Sequence, residues 1–478
     1  MPPPIQSANL RAALRRRSRI ALYASLGLTL AATIFGIQGL NRASAPPTLR
    51  YRWAEEDLSR DPRLQLLSRY VQIDTAQPAA NERAGAEFLA AELRSVGLEP
   101  VIEDLGEGRA NLWAIVEGQS PRAVVLHNHI DTDPLGAPEA WVHGPLSGAI
   151  VGPAIWGRGT FDMKSVTIAQ LEAVKAIVKS GQRPRRSVIF LATGSEEIGS
   201  ELGMRRILDH HADISSRFDV VLTEGGVVEA LETDRLKYWG TEIAQRRRVV
   251  VTYEGSVADL ERLREHLVSG RRRSGPLLTP EVREFLALYA PTRDARYLRE
   301  LLRDPDALLA DPKRLDELPP LVRSLFFHEV YTGRVDVASD PLHPRLRVVF
   351  LLLPGVSFAP VLDEILPDSV SGGVARRIEE VEPPVPGSPT SNLAYRAIQD
   401  VLRRRFPGVV AGPWVQTRSM SDARFVRARG IPAFGFSPFA IVTSDTLSVG
   451  ASNEHIGIEA FLDGVDIYQE VLTDLVLR

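Results

Sequence analysis

Short apolar runs alternate with longer amphipathic stretches over residues 81–224. Two stretches carry apolar residues at helical spacing and end at a glycine, whereas four shorter runs are dominated by Val, Ile, Leu and Ala. Helices placed between strands that are buried on both faces indicate a largely parallel sheet. The predicted helices are 81–97 and 163–181, and the predicted strands are 110–116, 122–127, 187–193 and 219–224. The sequence therefore predicts an α/β fold, with a mostly parallel sheet and flanking helices.

The pattern changes at about residue 240 and returns after residue 378. Strands are predicted at 246–253 and 345–355, helices at 257–270 and 358–366, and a helical stretch with several prolines lies between them. The proline-rich segment 379–391 leads back to the helix and strand alternation. We therefore predict an α+β module over 241–378, inserted between two parts of one α/β domain, 56–240 and 379–478.

The first 50 residues differ in kind from the rest. Five arginines lie within residues 1–19, and residues 20–40 form an uncharged run of 21 residues, enough to cross a bilayer as a helix. The pattern predicts a basic cytoplasmic segment (1–19), a transmembrane anchor or signal segment (20–40) and a linker (41–55). Cleavage after "ASA" (43–45) is the alternative, which the two prolines that follow disfavour. We expect an extracytoplasmic protein, membrane-anchored through this segment, or secreted if the segment is cleaved.

Composition narrows the classes of function. The chain has 478 residues, a net charge of −3 and no cysteine. The charge argues against a dedicated nucleic-acid binder, which presents a strongly basic face. Without cysteine, neither a disulfide framework nor a thiolate metal site is possible, so any metal must use His, Asp and Glu.

Candidate ligands cluster at predicted strand ends and helix starts. In a parallel sheet the carboxyl ends of the strands share one edge, where α/β proteins place their sites. Each residue alone has an ordinary alternative, such as an N-cap for Asp162 or a solvated loop for Glu196 and Glu197. Together, carboxylates and imidazoles suit zinc, manganese or cobalt, and a second, adjacent glutamate suits a general base. The candidates are His129, Asp131, Asp162, Glu196, Glu197, Glu224 and His455.

Five motifs, in order, carry a resemblance to a known family. They are "HNHIDTD" (127–133), "GRGTFDMK" (157–164), "SEEIGS" (195–200), "EGG" (224–226), and "GIPAFGFSP" through "SNEHI" (430–456). His129 precedes Asp162 by 33 residues, and Glu197 precedes Glu224 by 27. The chain resembles the co-catalytic di-zinc hydrolases, which include aminoacylases, carboxypeptidase S, carnosinase-type dipeptidases and acyl-amino-acid deacylases. The resemblance implies a catalytic α/β domain (56–240 and 379–478) and a lid and dimerisation domain (241–378).

The resemblance implies a set of metal ligands. Asp162 would bridge two divalent ions about 3.5–4 Å apart. His129 and Glu224 would complete the ligands of one ion, and Glu197 and His455 those of the other. The ions would be zinc, with cobalt or manganese as alternatives.

The resemblance also implies the catalytic roles. Asp131 would orient a metal ligand without binding the ion itself. Glu196 would take the proton from the water that attacks an amide carbonyl. The peptide bond Asp162–Met163 would be cis. The expected substrate is an N-acyl amino acid or short peptide, and the expected assembly is a homodimer through the lid.

The lid departs from the family pattern. Where members carry a histidine that holds the oxyanion, this chain has Ser256 and Val257 in "YEGSVADLE". Where members carry N-x-R before a Pro-Gly, the arginine binding a substrate carboxylate, this chain has Val349 and Leu351. Arg424 is the remaining candidate for that carboxylate; its alternative is a structural pair with Asp422.

Two functions remain open from the sequence. An amidohydrolase with an unusual lid would accept a different substrate, such as one with a longer or more apolar acyl chain. The alternative is a homologue that keeps its metals but acts as a binding or assembly protein with weak catalysis or none. We favour the enzyme, because Glu196 is retained beside a full ligand set. A serine hydrolase is disfavoured by the absence of a G-x-S-x-G motif.

Overall fold

The structure is a computed structural model that describes residues 58–79, 81–230, 236–269, 274–294, 296–417, 419–441 and 445–478. The strands are β1 (Val101–Gly106), β2 (Arg109–Val116), β3 (Ser120–His129), β4 (Ala149–Val151), β5 (Ala154–Trp156), β6 (Arg186–Thr193), β7 (Phe218–Thr223), β8 (Val227–Ala230), β9 (Leu236–Gln245), β10 (Arg247–Glu254), β11 (Glu329–Thr332), β12 (Arg345–Leu352), β13 (Ala375–Val381), β14 (Val410–Gln416), β15 (Ala433–Gly435) and β16 (His455–Gly457).

The α-helices flank these strands and connect them. They are α1 (Pro62–Val71), α2 (Glu82–Arg94), α3 (Lys164–Lys179), α4 (Met204–His210), α5 (Ala212–Ser215), α6 (Val257–Val268), α7 (Pro280–Tyr289), α8 (Arg296–Arg303), α9 (Pro305–Leu309), α10 (Pro312–Asp316), α11 (Pro320–Arg323), α12 (Phe358–Ile365), α13 (Asp368–Ser371), α14 (Leu393–Arg405), α15 (Ala423–Ala428) and α16 (Ile458–Val476). A 3₁₀ turn, Glu196–Ile198, follows β6.

The main sheet has the order β1-β2-β6-β3-β7-β15-β9-β14, and β8 pairs with β9. Its centre is parallel, because β3 pairs in parallel with β6 and β7, and β15 with β7. The edge strand β1 is antiparallel to β2, β2 to β6, β8 to β9, and β15 to β9. This arrangement confirms the predicted α/β fold with a mostly parallel sheet.

Both faces of the main sheet are buried, as the apolar runs predict. In β3, Val124 and Leu126 pack into one core cluster, whereas Ala123 and Val125 pack into a second cluster on the opposite face. Helices α1, α2, α3, α14 and α16 cover the first face, and α4 and α15 cover the second. The alternation follows from the two-residue period of a strand.

A second sheet, which we call the lid sheet, has the order β11-β12-β10-β13 and is antiparallel throughout. One face is apolar and packs against α6 and α12 through residues such as Leu260 and Leu362. The other face carries Arg347, Val349 and Leu351, which alternate along β12 with buried residues. The lid sheet therefore presents a mixed polar and apolar surface away from its own helices.

The segment from α7 to α11 packs on the main sheet. Phe285 of α7 meets Trp414 of β14 edge-on, with ring centroids 5.2 Å apart, and meets Tyr238 of β9 at 5.7 Å. The sequence placed this segment inside the stretch 241–378 assigned to the lid. An amphipathic pattern shows which face of a helix is buried but not which sheet covers it, so its docking site was not predictable.

The predicted location requires correction. In the portion of the chain that the structure describes, no helix is long and apolar enough to cross a membrane. The segment 20–40, on which the predicted anchor depends, lies outside the described residues. The predicted extracytoplasmic, membrane-anchored location is therefore corrected: the helices that the structure describes include none that could anchor the chain in a membrane.

The buried pair of Arg427 and Glu242 ties α15 to β9 and gives a test of the fold. The guanidinium donates to both carboxylate oxygens, at 2.8 and 2.7 Å, and the two side chains are 3% and 1% exposed. Arg427→Met would leave the Glu242 carboxylate buried without its counter-ion. We expect a loss of about 3–5 kcal/mol in the free energy of unfolding, measured by chemical denaturation.

Arg296→Met provides the matched control. Arg296 pairs with Glu300 on the exposed face of α8, where ion pairs contribute little. Its unfolding midpoint should match that of the unmodified protein. Equal midpoints for the two variants would contradict the role given to the buried pair.

Candidate metal centre and active site

The parallel strands deliver the candidate residues to one edge of the main sheet. His129 is the last residue of β3 and stands in register with Thr193, the last residue of β6. Glu196 follows β6 in a 3₁₀ turn, and Glu224 follows β7 directly. The site therefore lies beyond the carboxyl ends of three adjacent strands, as open α/β sheets favour.

His129, Asp162 and Glu224 form one set of possible metal ligands. One ligand atom from each lies within 4.8 Å of the others. The Nδ1 of His129 donates to the backbone oxygen of Asp131 at 2.8 Å, so Nε2 is the nitrogen whose lone pair a metal ion would bind once the ring is neutral. That Nε2 faces Asp162 Oδ1 at 3.1 Å and Glu224 Oε2 at 3.7 Å.

His129, Glu196 and Glu197 form a second set within the same 4.8 Å limit. Oε1 of Glu197 is buried and accepts no hydrogen bond within the part of the chain described here. The fully buried Asp131 holds this pair of glutamates through their backbone. Its Oδ1 accepts the N–H of Glu196 at 3.0 Å, and its Oδ2 accepts the N–H of Glu197 at 3.2 Å.

Glu82 fixes the turn that precedes the two glutamates. Ser195 has a left-handed backbone, with φ at 58°. Its N–H donates to Oε1 of Glu82 at 2.9 Å, and the same oxygen accepts from Arg109 at 2.7 Å. Glu82 was not among the residues predicted from the sequence, because an acidic residue in the first turn of a helix is ordinarily a favourable surface charge.

Glu454 fixes the backbone at Asp162 in the same way that Glu82 fixes the turn at Ser195. Its Oε1 accepts the backbone N–H groups of Phe161 and Asp162 at 2.9 and 3.2 Å, and its Oε2 accepts from Arg158 at 2.7 Å. The peptide bond Asp162–Met163 is cis, as the resemblance implied. Glu454 and Arg158 were not predicted either, because they are 296 residues apart in the chain and both are buried.

The carboxylates at this edge repel one another. Burial and the nearby Asp162 raise the pKa of Glu197 to about 9 and that of Glu224 to about 7. Burial and the charge of Glu224 raise the pKa of Glu196 well above its ordinary value. Burial opposes a charge on His129, but its hydrogen bonds with Asp162 and Glu224 hold its pKa well above the ordinary value. A bound cation would relieve this repulsion.

Two predicted residues lie apart from these sets. His455 opens β16 opposite Trp156 of β5, and it belongs to neither set of three among the described residues. Arg424 is ion-paired with Glu382 at 2.8 Å and lies over the ring of Phe425 at 4.3 Å. The alternative partner of Arg424, Asp422, is instead hydrogen-bonded to Ser200.

The donors present fit divalent metal ions. They combine an imidazole nitrogen with several carboxylate oxygens, which suit zinc, manganese or cobalt. The buried, unpartnered Oε1 of Glu197 and the facing carboxylates of Asp162 and Glu224 are groups that a cation would satisfy. The site is therefore built for metal.

Comparison with known proteins supports this interpretation. The family model described as peptidase family M20/M25/M40 matches residues 125–474. Human aminoacylase-1 is 23% identical over 426 residues, an alignment that covers 87% of this chain and 95% of that protein. The similarity therefore spans both parts of the α/β domain and the inserted segment.

Solved structures share the fold. A metallo-carboxypeptidase of the M20 family from Sulfolobus solfataricus superposes with a TM-score of 0.64 at 18% identity, covering 87% of this chain and 99% of that one. A dinuclear metal binding peptidase of the M20 family from Bacillus subtilis gives a TM-score of 0.53 at 11% identity, covering 86% and 96%. At these identities the likeness shows the fold, a catalytic domain with a lid.

The raised pKa values predict how metal affinity depends on pH. In the metal-free protein, Glu197 holds its proton below about pH 9 and Glu224 below about pH 7. An incoming ion must displace these protons, so affinity should rise with pH. We expect the zinc dissociation constant to fall at least about tenfold per pH unit between pH 7 and 9, measured by calorimetry with proton release followed in two buffers. A pH-independent affinity without proton release would contradict this electrostatic account.

Asp131→Ala tests the support behind the glutamate pair. The substitution removes the acceptor of the Glu196 and Glu197 N–H groups. We expect metal affinity to fall roughly 10–100-fold, measured by competition with a chromophoric chelator. Asp219→Asn, on the partly exposed Arg122 and Arg186 pairs, should leave affinity unchanged. Unchanged metal affinity in Asp131→Ala would show that Asp131 does not support the glutamate pair.

Proposed function

Because this chain belongs to peptidase family M20/M25/M40, whose members are metal-dependent enzymes that hydrolyse amide bonds, we propose that it cleaves the amide bond of an N-acyl amino acid or short peptide. The reaction requires two divalent ions at the edge of the main sheet. We propose zinc as the resident metal, with cobalt or manganese as ions that the same donors accept.

The ligand assignment follows the two sets. Asp162 would lie between the ions, His129 and Glu224 would hold the first, and Glu197 would hold the second. When bound, the ions would polarise the amide carbonyl and lower the pKa of the attacking water. His455 stays the predicted partner of Glu197 at the second ion, although among the described residues it belongs to neither set of three.

Glu196 is the proposed general base. Its backbone N–H is anchored on Asp131, and its carboxylate reaches within 4.8 Å of the His129 ligand atom. A base works best when its pKa lies near the working pH, and burial raises the pKa of Glu196 from its ordinary acidic range. Glu196 would take a proton from the attacking water and deliver it to the leaving amine nitrogen. The amide C–N bond would break, releasing a carboxylic acid and an amine.

The substrate would enter a cleft of about 530 Å³ between the two sheets. Its catalytic side includes Ile198 and Gly199, which directly follow Glu196 and Glu197, and its lid side includes Val250 and Arg347. This volume suits a small molecule and not a folded protein chain.

The lid side of the cleft favours an apolar acyl group. Val349 and Leu351 are half-buried and lie on the same face of β12 as Arg347. Val349 stands opposite Val250 of β10, which lines the cleft. We therefore propose an apolar acyl chain against this surface. The contact of Arg424 with a substrate carboxylate stays a prediction. The homodimer formed through the lid also stays a prediction.

The observation that carries this proposal is the convergence of an extra carboxylate, Glu196, on a site already supplied with ligands. Asp162 and Glu224 face the Nε2 of His129 directly, so Glu196 is available for proton transfer. A binding or assembly protein that only held metal would not need a general base, so that alternative function is not favoured.

Glu196→Gln tests the base directly. The amide keeps the shape of the side chain but cannot take a proton, so kcat for N-acyl amino acid hydrolysis should fall roughly 10²–10⁴-fold. Amine release from a panel of N-acyl amino acids and dipeptides would be measured with added zinc and after chelation. The bound metal, counted by elemental analysis, should remain that of the unmodified enzyme.

Asp213→Asn is the control, because Asp213 lies on α5 with its side chain 73% exposed and does not line the cleft. It should retain full turnover. Undiminished turnover in Glu196→Gln would refute the assignment of the base. Loss of a metal ion together with turnover would show that Glu196 is a ligand instead.

A further inference from the structure

We propose that Asp422 is a positioning residue for Glu196, and that it acts through the hydroxyl of Ser200 at the far end of the loop that carries the proposed base. The inference rests on the proposed function, in which Glu196 moves the proton during amide hydrolysis. Asp422 itself touches neither the substrate nor a metal ion in this account. It fixes the loop from which Glu196 reaches the site.

The loop over residues 195–200 begins and ends at a residue with a left-handed backbone. Ser195 has φ at 58° and Ser200 has φ at 64°, a conformation that is unfavourable for residues other than glycine. The N–H of Ser200 donates to the backbone oxygen of Ser195 at 2.7 Å and closes the loop. Such strained backbone persists only where surrounding contacts hold it in place. Both ends of the loop therefore need support from outside.

A buried carboxylate from a distant part of the chain supports each end. Glu82 accepts the N–H of Ser195 at 2.9 Å, and Asp422 accepts the hydroxyl of Ser200. Ser200 and Asp422 are both fully buried, and 222 residues separate them in the chain. Asp422 thus ties the loop to the C-terminal part of the α/β domain, at the end that the hydrogen bonds of Glu82 and Asp131 do not reach.

The second oxygen of Asp422 has no comparable contact. Within the part of the chain that the structure describes, its Oδ2 accepts no hydrogen bond. Nε2 of His127 lies 3.6 Å from this oxygen, but the same nitrogen is hydrogen-bonded to the hydroxyl of Thr193 at 2.9 Å. A buried carboxylate with so few donors is unfavourable for folding. The hold on Ser200 accounts for a carboxylate at this position.

The backbone beside Asp422 is anchored in its turn. The N–H of Ser421 donates to Oε1 of Gln245 at 2.8 Å, and Nε2 of Gln245 donates to the backbone oxygen of Ser421 at 2.9 Å. Both residues are buried, and Gln245 is the last residue of β9. Asp422 therefore reaches Ser200 from a fixed point on the main sheet, as the support of a precisely placed group requires.

The test compares two variants of the full chain with and without the proposed base. Ser200→Ala removes the donor and Asp422→Ala removes the acceptor, so either variant frees the end of the loop. Because a misplacement of about 1 Å can cost about 10²-fold in rate, we expect kcat for N-acyl amino acid hydrolysis to fall roughly 10–100-fold, with KM unchanged. In a Glu196→Gln background, neither substitution should lower kcat further, because the group that they position no longer takes the proton.

Ser187→Ala is the matched control. It removes a buried hydroxyl at the opposite end of β6, where Ser187 donates to the backbone oxygen of Ser120 at 2.9 Å, and it should retain full kcat. Asp422→Asn keeps an oxygen that can accept the hydroxyl of Ser200, so it should retain most of the turnover. Thermal unfolding of each variant identifies misfolding. If Asp422→Ala does not fold, Ser200→Ala decides the test.

Three outcomes would overturn the inference. The first is an unchanged kcat in Ser200→Ala. The second is an equal fall of kcat with and without the Glu196→Gln substitution, which would show a general structural role. The third is loss of a bound ion in Ser200→Ala, counted by elemental analysis, which would show that the contact supports a metal ligand instead. All three leave the proposed function standing, since the unmodified protein still hydrolyses substrate. No hydrolysis by the zinc-loaded unmodified protein would refute the proposed function and, with it, this inference.

Discussion

The buried carboxylate of Asp131 joins the ends of two strands and sets the geometry of the site. Its two oxygens accept the backbone N–H groups of Glu196 and Glu197, and its Oδ2 also accepts from Gln77 at 2.7 Å. Its own backbone oxygen accepts from the ring of His129 at 2.8 Å. One residue therefore fixes the direction of a candidate metal ligand, His129, and the position of both glutamates. Such buried hydrogen bonds to a charge are strong and directional, so the rest of the site is organised around them.

Two further buried carboxylates hold the other loops of the site in the same way, by accepting backbone N–H groups. Glu82 holds the turn before Glu196, and Glu454 holds the backbone of Asp162. Each of these carboxylates also has an arginine partner, Arg109 and Arg158 respectively. The loops carry mutually repelling acids, and these ion-paired supports hold the loops that bring those acids close together. The scaffold therefore holds the carboxylates together despite their mutual repulsion, which a bound metal ion would relieve.

The sequence predicted the parts of the site that follow from local pattern. Buried apolar runs located β3, β6 and β7, and polar residues after them identified His129, Glu196 and Glu224. Glu82 and Glu454 were not predicted, because each one hydrogen-bonds to a loop that is distant from it in the sequence. His455 illustrates a different limit: its motif is local, but the neighbours of its ring depend on the pairing of β16 with β5, which brings Trp156 against it. The docking of α7 on the main sheet was likewise a matter of tertiary packing, which no periodicity encodes.

The most direct test of the two-metal account is a titration of the metal-free enzyme with zinc while N-acyl amino acid hydrolysis is followed. The account predicts no turnover without zinc, and a rate that rises until two ions are bound per chain and then stays constant. Because Asp162 is proposed to serve both ions, neither site alone should support full activity. Full activity with a single ion, or hydrolysis that persists after all metal is removed, would contradict the account.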